Sequence, residues 1–321
     1  MTLDEGHKIR DSVLTEKFPL RLDCLNPFAA LNVWRLPETG HEASIQDLQA
    51  KFHTSLNLPQ RTSFLTKGVR SLLRTLMRTP TGQRAHWWIP GDVFPAYLNI
   101  AAEEGVLVDR YSLWPDLQLA PIMHGSGEKE FLLIPLPHSP MGYRLSTDQR
   151  DMMQAWLVQS PSRYLVVDLV YAYDHLYNPE IQEWASSSQA ILAFSMSKTW
   201  LQRCLAGIAI VPDAFLEEVQ PYLEIPSSFE RGLALRCLVD QPDLPSRQAK
   251  RFETQWRSFS DKLKDIDLAW MPPRTGYLGV VKCHWQRLLD EHNVLAVPPA
   301  LFGSPALEYS IISCLHDLPL G

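Results

Sequence analysis

Short apolar runs alternate with helical segments through the middle of this 321-residue chain, and that alternation restricts the fold more than any other feature. The runs HWWIP, FLLIPLP, YLVVDLV, AILAFSM and AGIAIVP are almost free of charge, as strands are when a sheet is covered on both faces. Segments with helical spacing, such as FPAYLNIAAEEG and STDQRDMMQAWLVQ, lie among them. This order predicts an α/β fold with a mainly parallel sheet and helices on both faces.

Both ends of the chain depart from the alternation. The segment SIQDLQAKFHTSL is the one clear helical pattern near the start, and short strands YLGVV, VLAVP and YSIISCL surround the helix CHWQRLLDEH near the end. We therefore predict three units along the chain: an N-terminal segment, residues 1–50, packed on a small domain; a large domain, residues 51–245; and a small C-terminal α+β domain, residues 246–321.

Charge and composition argue against several classes of protein. The formal net charge is -6 and no cluster of Lys and Arg occurs, so we expect no nucleic-acid partner. No apolar run approaches the roughly 18 residues that cross a bilayer, so we expect no membrane partner. Five scattered cysteines favour neither a disulfide framework nor a zinc site. The sequence predicts a cytoplasmic protein without a metal.

Lys198, in AILAFSMSKTW, follows an apolar run and stands among small hydroxylated residues. Two chemistries use a lysine in this setting. In a serine acyl-transferase, SMSK would supply Ser195 as the nucleophile, and RTG at residues 274–276 would stand in for K-T-G. However, no S-D-N-like element lies between Thr199 and Pro273, and Ser195 ends a β-rich run instead of opening a helix. The second chemistry, a Schiff base with an aldehyde cofactor, fits better.

A pyridoxal-phosphate site needs groups around the cofactor ring, and the chain supplies candidates. A carboxylate must hold the pyridine nitrogen protonated so that the ring withdraws electrons. Asp168 stands at the end of YLVVDLVY, and the carboxyl end of a parallel strand is where α/β sheets place their ligands. Tyr171 and Ser139 are candidate donors to the ring phenolate, and Phe94 is a candidate to cover the ring face. These residue types together indicate a pyridoxal phosphate site.

The cofactor's phosphate needs backbone amides at a helix N-terminus. The segment FLTKGVRSLLRTLM reads as a strand or loop, then a glycine, then a helix. Gly68, Val69 and Arg70 stand at that turn, and we predict that they bind the phosphate.

Four segments together resemble the fold type I pyridoxal-phosphate enzymes of the class I/II aminotransferase family, near histidinol-phosphate aminotransferase and threonine-phosphate decarboxylase. SMSKTW is similar to S-x-S-K-T-[FW], which implies that Lys198 carries the Schiff base and Ser195 binds the phosphate. VVDLVY resembles D-x-x-Y and implies the ring roles of Asp168 and Tyr171. PHSPMG and GDVFPAY resemble N-P-x-N-P-T-G and P-x-Y-P-x-Y, with Ser139 at the asparagine and Phe94 at the stacking position.

The resemblance implies a three-layer αβα large domain with a smaller α+β domain. It implies a homodimer, since sites of this family usually form between two subunits. It also implies a biosynthetic aminotransferase, with pyridoxal 5′-phosphate as cofactor and small-molecule amino donors and acceptors as substrates. Lys198 would be the base that moves the substrate proton, which makes Lys198, Asp168 and Tyr171 the predicted catalytic residues.

The chain also departs from the family pattern. Leu205 stands where G-x-R-x-G has the arginine that clamps the phosphate, and Arg203 is the expected substitute. Ile311 stands where R-I-S has the arginine that binds the substrate carboxylate. The segment RLPETGHEA lacks the tyrosine that a partner subunit lends to the phosphate. Arg236, Arg274 and Lys282 are candidate replacements for the carboxylate clamp. Two alternatives therefore stay open: another pyridoxal-phosphate reaction, such as decarboxylation, elimination or cyclisation, and a non-catalytic relative.

Overall fold

The structure is a computed structural model that describes residues 3–16, 20–25, 42–59, 61–93, 95–114, 117–119, 122, 129–172, 179–200, 206–264 and 269–317. Its helices are α1 Leu3–Glu16, α2 Ile45–Leu56, α3 Val69–Arg78, α4 Pro80–Arg84, α5 Ala96–Glu104, α6 Thr147–Val158, α7 Pro179–Ser186, α8 Met196–Thr199, α9 Leu216–Val219, α10 Ser228–Asp240, α11 Leu244–Lys264 and α12 Trp285–His292. Its strands are β1 Leu20–Arg21, β2 Ser63–Thr66, β3 His86–Pro90, β4 Val108–Tyr111, β5 Glu130–Pro135, β6 Arg163–Asp168, β7 Ala190–Ser195, β8 Gly207–Ile210, β9 Trp270–Met271, β10 Leu278–Val281, β11 Val294–Leu295 and β12 Ser310–Ser313.

Seven strands form the central sheet, in the order β2-β8-β7-β6-β5-β3-β4. The five strands from β7 to β4 are parallel to one another. Strand β8 runs antiparallel to both of its neighbours, β2 and β7. The prediction of an α/β fold with a mainly parallel sheet is confirmed. Because the carboxyl ends of β5, β6 and β7 lie at one edge, the residues that follow these strands meet there.

The central sheet is buried on both faces. Successive side chains of a strand point to opposite faces of the sheet, and here each face packs into its own hydrophobic cluster. In β5, Leu132 and Ile134 belong to one hydrophobic cluster, whereas Phe131 and Leu133 belong to another. The first cluster contains apolar residues of α6 and α7, and the second contains those of α3 and α5. The uniformly apolar strands of the sequence therefore reflect helices packed on both faces.

Shorter sheets join the two ends of the chain. Strands β9, β10 and β12 form an antiparallel three-stranded sheet, and β1 pairs with β11 in parallel. The Ser313 amide also donates to the Leu22 carbonyl at 2.8 Å, so the described part of the N-terminal segment contacts the C-terminal strands. The domain boundaries at residues 50 and 245 stay predictions. Among the described residues, no helix has the length and apolar character needed to cross a membrane.

Candidate functional site

A cavity of about 210 Å³ lies at the carboxyl ends of β5, β6 and β7. Each of these strands contributes its last residue to the wall: Pro135, Asp168 and Ser195. The remaining lining residues come from the N-terminal segment, the turn into α3, the turn into α5, the loops after β5 and β6, helix α8, and the C-terminal part of the chain. They are Leu25, Lys67, Gly68, Val69, Arg70, Val93, Ala96, Tyr97, Ser139, Val170, Tyr171, Ser197, Lys198, Tyr277, Leu278 and Phe302.

Asp168 is the buried acid of this cavity, with 2% of its surface exposed. The Val170 amide donates to Asp168 Oδ1 at 2.8 Å, and the Tyr97 hydroxyl donates to Asp168 Oδ2. No lysine, arginine or histidine in the described part of the chain forms an ion pair with this carboxylate. Two neutral donors thus hold Asp168 in place without neutralising its charge.

Burial decides the protonation behaviour of this pair. Removal from water raises the pKa of Asp168 to about 6, although the hydrogen bonds from Tyr97 and Val170 act in the opposite direction. Burial also raises the pKa of Tyr97 well above its ordinary value, and the Asp168 carboxylate raises it further. Tyr97 therefore stays protonated as the donor, and Asp168 is ionised at neutral pH. A buried carboxylate without a cationic partner is poised to bind a cationic ligand group.

Neutral donors surround the position where β2 turns into α3. Gly68 is the N-cap of α3, and Val69 and Arg70 begin the helix. Ser195 is the N-cap of α8, where its hydroxyl accepts from the Ser197 amide at 3.2 Å and donates to the Ser197 hydroxyl at 3.0 Å. Backbone amides and hydroxyls at a helix start are the groups that bind phosphate in proteins. This side of the cavity therefore suits a phosphate.

Gly68 allows the close approach of the two turns. Its backbone has φ 97° and ψ -176°, a region that only glycine commonly adopts. A Cβ at this position would lie 3.0 Å from Ser195 Oγ. The glycine thus brings the start of α3 against the serine that caps α8.

Replacing Gly68 by alanine is expected to destabilise the protein by about 1 to 3 kcal/mol through backbone strain, with an added cost from crowding Ser195. Urea denaturation of the cofactor-free protein measures this loss. Gly105→Ala is the matched control, because Gly105 also has a positive φ of 68° but its added Cβ would meet nothing within 4 Å. Equal losses for the two variants would contradict the proposed packing of Gly68 on Ser195.

Lys198 lies on α8 and lines the cavity together with Asp168. The short helix follows β7 directly, because Ser195 caps it and the Thr199 hydroxyl donates to the Ser195 carbonyl at 3.0 Å. The lysine side chain is half-buried. An amine fixed at a cavity wall is suited to form a Schiff base with an aldehyde and to transfer protons.

Tyrosine hydroxyls occupy another part of the wall. Tyr171 and Tyr277 have their hydroxyl oxygens 3.5 Å apart, and their rings meet edge to face with centroids 6.0 Å apart. The Tyr277 hydroxyl also donates to the Leu25 carbonyl at 3.3 Å. Ser139 lines the same cavity in the loop after β5, where the Ser139–Pro140 peptide bond is cis. These hydroxyls provide neutral donors for a ring oxygen.

The structure brings eight of the ten predicted site residues to one cavity. They are Gly68, Val69, Arg70, Ser139, Asp168, Tyr171, Ser195 and Lys198. The other two, Phe94 and Arg203, lie outside the described residues. Their roles, like those of the eight, stay predictions. No group of three or more His, Cys, Asp or Glu side chains in the described ranges is placed to hold a metal ion.

Sequence reasoning missed several lining residues. Tyr97 had a usable signal, because it follows Phe94 by three positions and so lies one turn into the helix of GDVFPAYLNI. Lys67 precedes the glycine of the predicted phosphate turn and could have been found in the same way. Tyr277 and Phe302 had no signal, since only the folding of the C-terminal strands brings them to the cavity.

The position of the family's carboxylate-binding arginine is occupied by a core residue. Ile311 is fully buried in β12, where it pairs with Val280 and bridges to Val297. Of the candidate replacements, Arg236 pairs with Asp240 on α10 at 3.1 Å. None of the three candidates lines the cavity. The expectation that Arg236, Arg274 or Lys282 takes over the clamp therefore has no support from the position of these residues.

Comparisons with known proteins agree with this arrangement. A family model described as aminotransferase class I and II matches residues 35–307. A search of curated protein sequences finds no match. Many solved structures share the fold at low sequence identity.

Three of these structures illustrate the similarity. An aspartate aminotransferase from Thermotoga maritima has a TM-score of 0.75 at 15% identity, over 98% of this chain and 92% of that one. The YbdL protein from Escherichia coli, with a methionine aminotransferase function, has a TM-score of 0.74 at 14% identity, over 96% and 92%. An aspartate aminotransferase from Rhizobium meliloti has a TM-score of 0.68 at 15% identity, over 98% and 84%.

Proposed function

This chain belongs to the aminotransferase class I and II family. We propose that it is an aminotransferase that works through pyridoxal 5′-phosphate bound at Lys198. Members of this family depend on pyridoxal phosphate. The substrates are then a small-molecule amino donor and an acceptor with a carbonyl group. The fold of the chain supports this proposal, because the cavity lies where the family's parallel sheet ends.

The observation that carries the proposal is the environment of Asp168. An ionised carboxylate with 2% exposure and no ion pair to a described residue is costly unless a cationic group binds beside it. The protonated pyridine nitrogen of the cofactor is such a group. When bound, pyridoxal phosphate would supply an aldehyde that reacts with amines and a ring that withdraws electrons from the substrate carbon.

Residues of the chain transfer the proton, orient Asp168 and bind the cofactor. Lys198 Nζ takes the proton from the substrate carbon that bears the amino group, as a general base. Tyr97 and the Val170 amide keep Asp168 oriented toward the cavity. Tyr171 and Ser139 would donate to the ring oxygen, and the amides at the start of α3 would hold the phosphate together with Ser195.

We further propose a homodimer in the cytoplasm that serves a biosynthetic pathway. The family resemblance supports the dimer, since sites of this family usually form between two subunits. The scattered cysteines support a reducing compartment, and no disulfide joins Cys24, Cys237, Cys283 and Cys314 to one another. Light scattering of the purified protein at several concentrations measures the oligomeric state.

Another pyridoxal-phosphate reaction is the second candidate function. It is favoured by Ile311, because a substrate held without the usual carboxylate clamp can be oriented for decarboxylation, elimination or cyclisation instead of amino transfer.

The test begins with absorbance of the purified protein titrated with pyridoxal 5′-phosphate, where a new band above 400 nm is expected. Amines and amino acids are then incubated with 2-oxo acids, and the appearance of an aminated acceptor is measured by mass spectrometry. Release of carbon dioxide or ammonia without an aminated acceptor would support the second candidate. A protein that gives no band and no product would be a non-catalytic relative.

A further inference from the structure

Two cations line the cavity beside the phosphate turn, Lys67 and Arg70. Lys67 lies in the loop between β2 and α3, and that loop is fixed at both ends. The Lys67 amide donates to the Glu224 carbonyl at 3.1 Å, and the Gly68 amide donates to the Thr66 hydroxyl at 3.1 Å. The lysine therefore projects from an ordered backbone next to the glycine that meets Ser195.

This inference rests on the proposed function: the phosphate of a bound cofactor needs a positively charged partner at this end of the cavity. The phosphate of the cofactor carries close to two negative charges at neutral pH. The groups around Gly68 that accept it, backbone amides and the hydroxyls of Ser195 and Ser197, are neutral. Leu205 stands where the family has a guanidinium, so this chain has lost the charge at that position. A half-buried anion without a cation binds weakly.

We infer that Lys67 provides this charge and is the ammonium that binds the cofactor's phosphate. Lys67 is half-buried, whereas Arg70 is exposed, so solvent weakens the attraction of Arg70 more strongly. In this chain the positive charge that binds the phosphate therefore lies in the loop before α3, whereas in the family it lies in the segment after the Schiff-base lysine.

Glu230 is the acidic neighbour of Lys67. Burial raises the pKa of Glu230, but hydrogen bonds with Ser227 and the charge of Lys67 together lower it below its ordinary value. An ammonium has three donors, so Lys67 is able to interact with Glu230 and still donate to a phosphate oxygen. Glu230 is itself engaged in the capping box of α10, where it binds the Ser227 amide at 2.7 Å.

The test compares two ligands that differ only in the phosphate, pyridoxal 5′-phosphate and pyridoxal. Both are titrated into cofactor-free protein, and Kd is measured from the absorbance of the bound aldehyde. Lys67→Gln is expected to raise Kd for pyridoxal 5′-phosphate by about 10- to 100-fold, the effect of one charged hydrogen bond. Its Kd for pyridoxal is expected to stay within about two-fold of the wild-type value, because pyridoxal offers Lys67 no anion.

Three further variants make the test specific. Lys67→Arg keeps the charge and is expected to keep Kd for the phosphorylated ligand within about five-fold of wild type. Arg70→Gln is expected to change it by less than about three-fold, because Arg70 is exposed. Lys282→Gln, an exposed lysine outside the cavity, is the matched control and should change neither Kd. Thermal unfolding of each cofactor-free variant checks that it is folded.

Each outcome decides for or against the assignment. Equal weakening of both ligands by Lys67→Gln, no weakening of either, or a larger effect of Arg70→Gln would each overturn it. If wild-type protein prefers the phosphorylated ligand strongly and Lys67→Gln does so equally, only this inference fails. If wild-type protein binds neither aldehyde, the proposed function and this inference fail together.

Discussion

Turnover is expected to fall by about 10²- to 10⁴-fold when Lys198 is replaced by alanine, because the variant loses the base that moves the substrate proton. It also loses the amine that attaches the cofactor. Two measurements check this: the rate of amino transfer, and the intact mass of the protein after incubation with pyridoxal 5′-phosphate and borohydride. Wild-type protein should gain the mass of one reduced cofactor and Lys198→Ala should gain none.

Lys250→Ala is the control for this experiment. Lys250 is an exposed lysine on α11, so its loss should leave both the rate and the added mass unchanged. Lys198→Arg separates the roles of charge and nucleophilicity, since arginine keeps the charge but does not form the Schiff base. Continued covalent attachment to Lys198→Ala would show that another lysine carries the cofactor, and the assignment would be abandoned.

Replacing Asp168 by asparagine is expected to have opposite effects on activity and stability. Activity should fall by about 10²- to 10³-fold, the usual cost of removing a preorganised electrostatic partner from a reacting centre. The cofactor-free protein, in contrast, should become more stable above pH 6, because the variant no longer buries a negative charge. Asparagine satisfies the same neighbours: its Oδ1 accepts from Val170 and its Nδ2 donates to the Tyr97 oxygen.

The pH dependence follows from the pKa of Asp168, which is about 6 in the folded protein and 3.8 as its ordinary value. A raised pKa means that the folded state favours the protonated acid. Its contribution to stability is therefore complete below about pH 4 and is lost as the pH rises through 6. A shift of this size corresponds to roughly 3 kcal/mol at most. The advantage of Asp168→Asn over wild type should accordingly grow from pH 4.5 to pH 8.

Urea denaturation of cofactor-free wild-type and variant proteins at these two pH values measures the difference. The control is Asp151→Asn, because Asp151 is an exposed residue of α6 and its loss should not add a pH-dependent difference of this size. A difference between Asp168→Asn and wild type that is the same at both pH values would mean that Asp168 is not a buried acid without an ion pair to the described residues.

The chain's sequence by itself determined the central architecture. Strands that bury both faces contain few polar residues, so the runs that became β5, β6 and β7 were readable as parallel strands. Asp168 and Ser195, which the sequence places near the ends of their apolar runs, are the last residues of β6 and β7. Because parallel strands share one carboxyl edge, the candidate site followed from these positions and from Lys198.

Only the tertiary structure decided which side chains contact one another at the site. Tyr97 binds Asp168 across 71 residues of sequence, and Tyr277 meets Tyr171 across 106. Such contacts depend on how helices and sheets pack, and a local pattern does not encode them. The same is true of the raised pKa of Asp168, because desolvation arises from everything that surrounds the carboxylate and not from its neighbours in sequence.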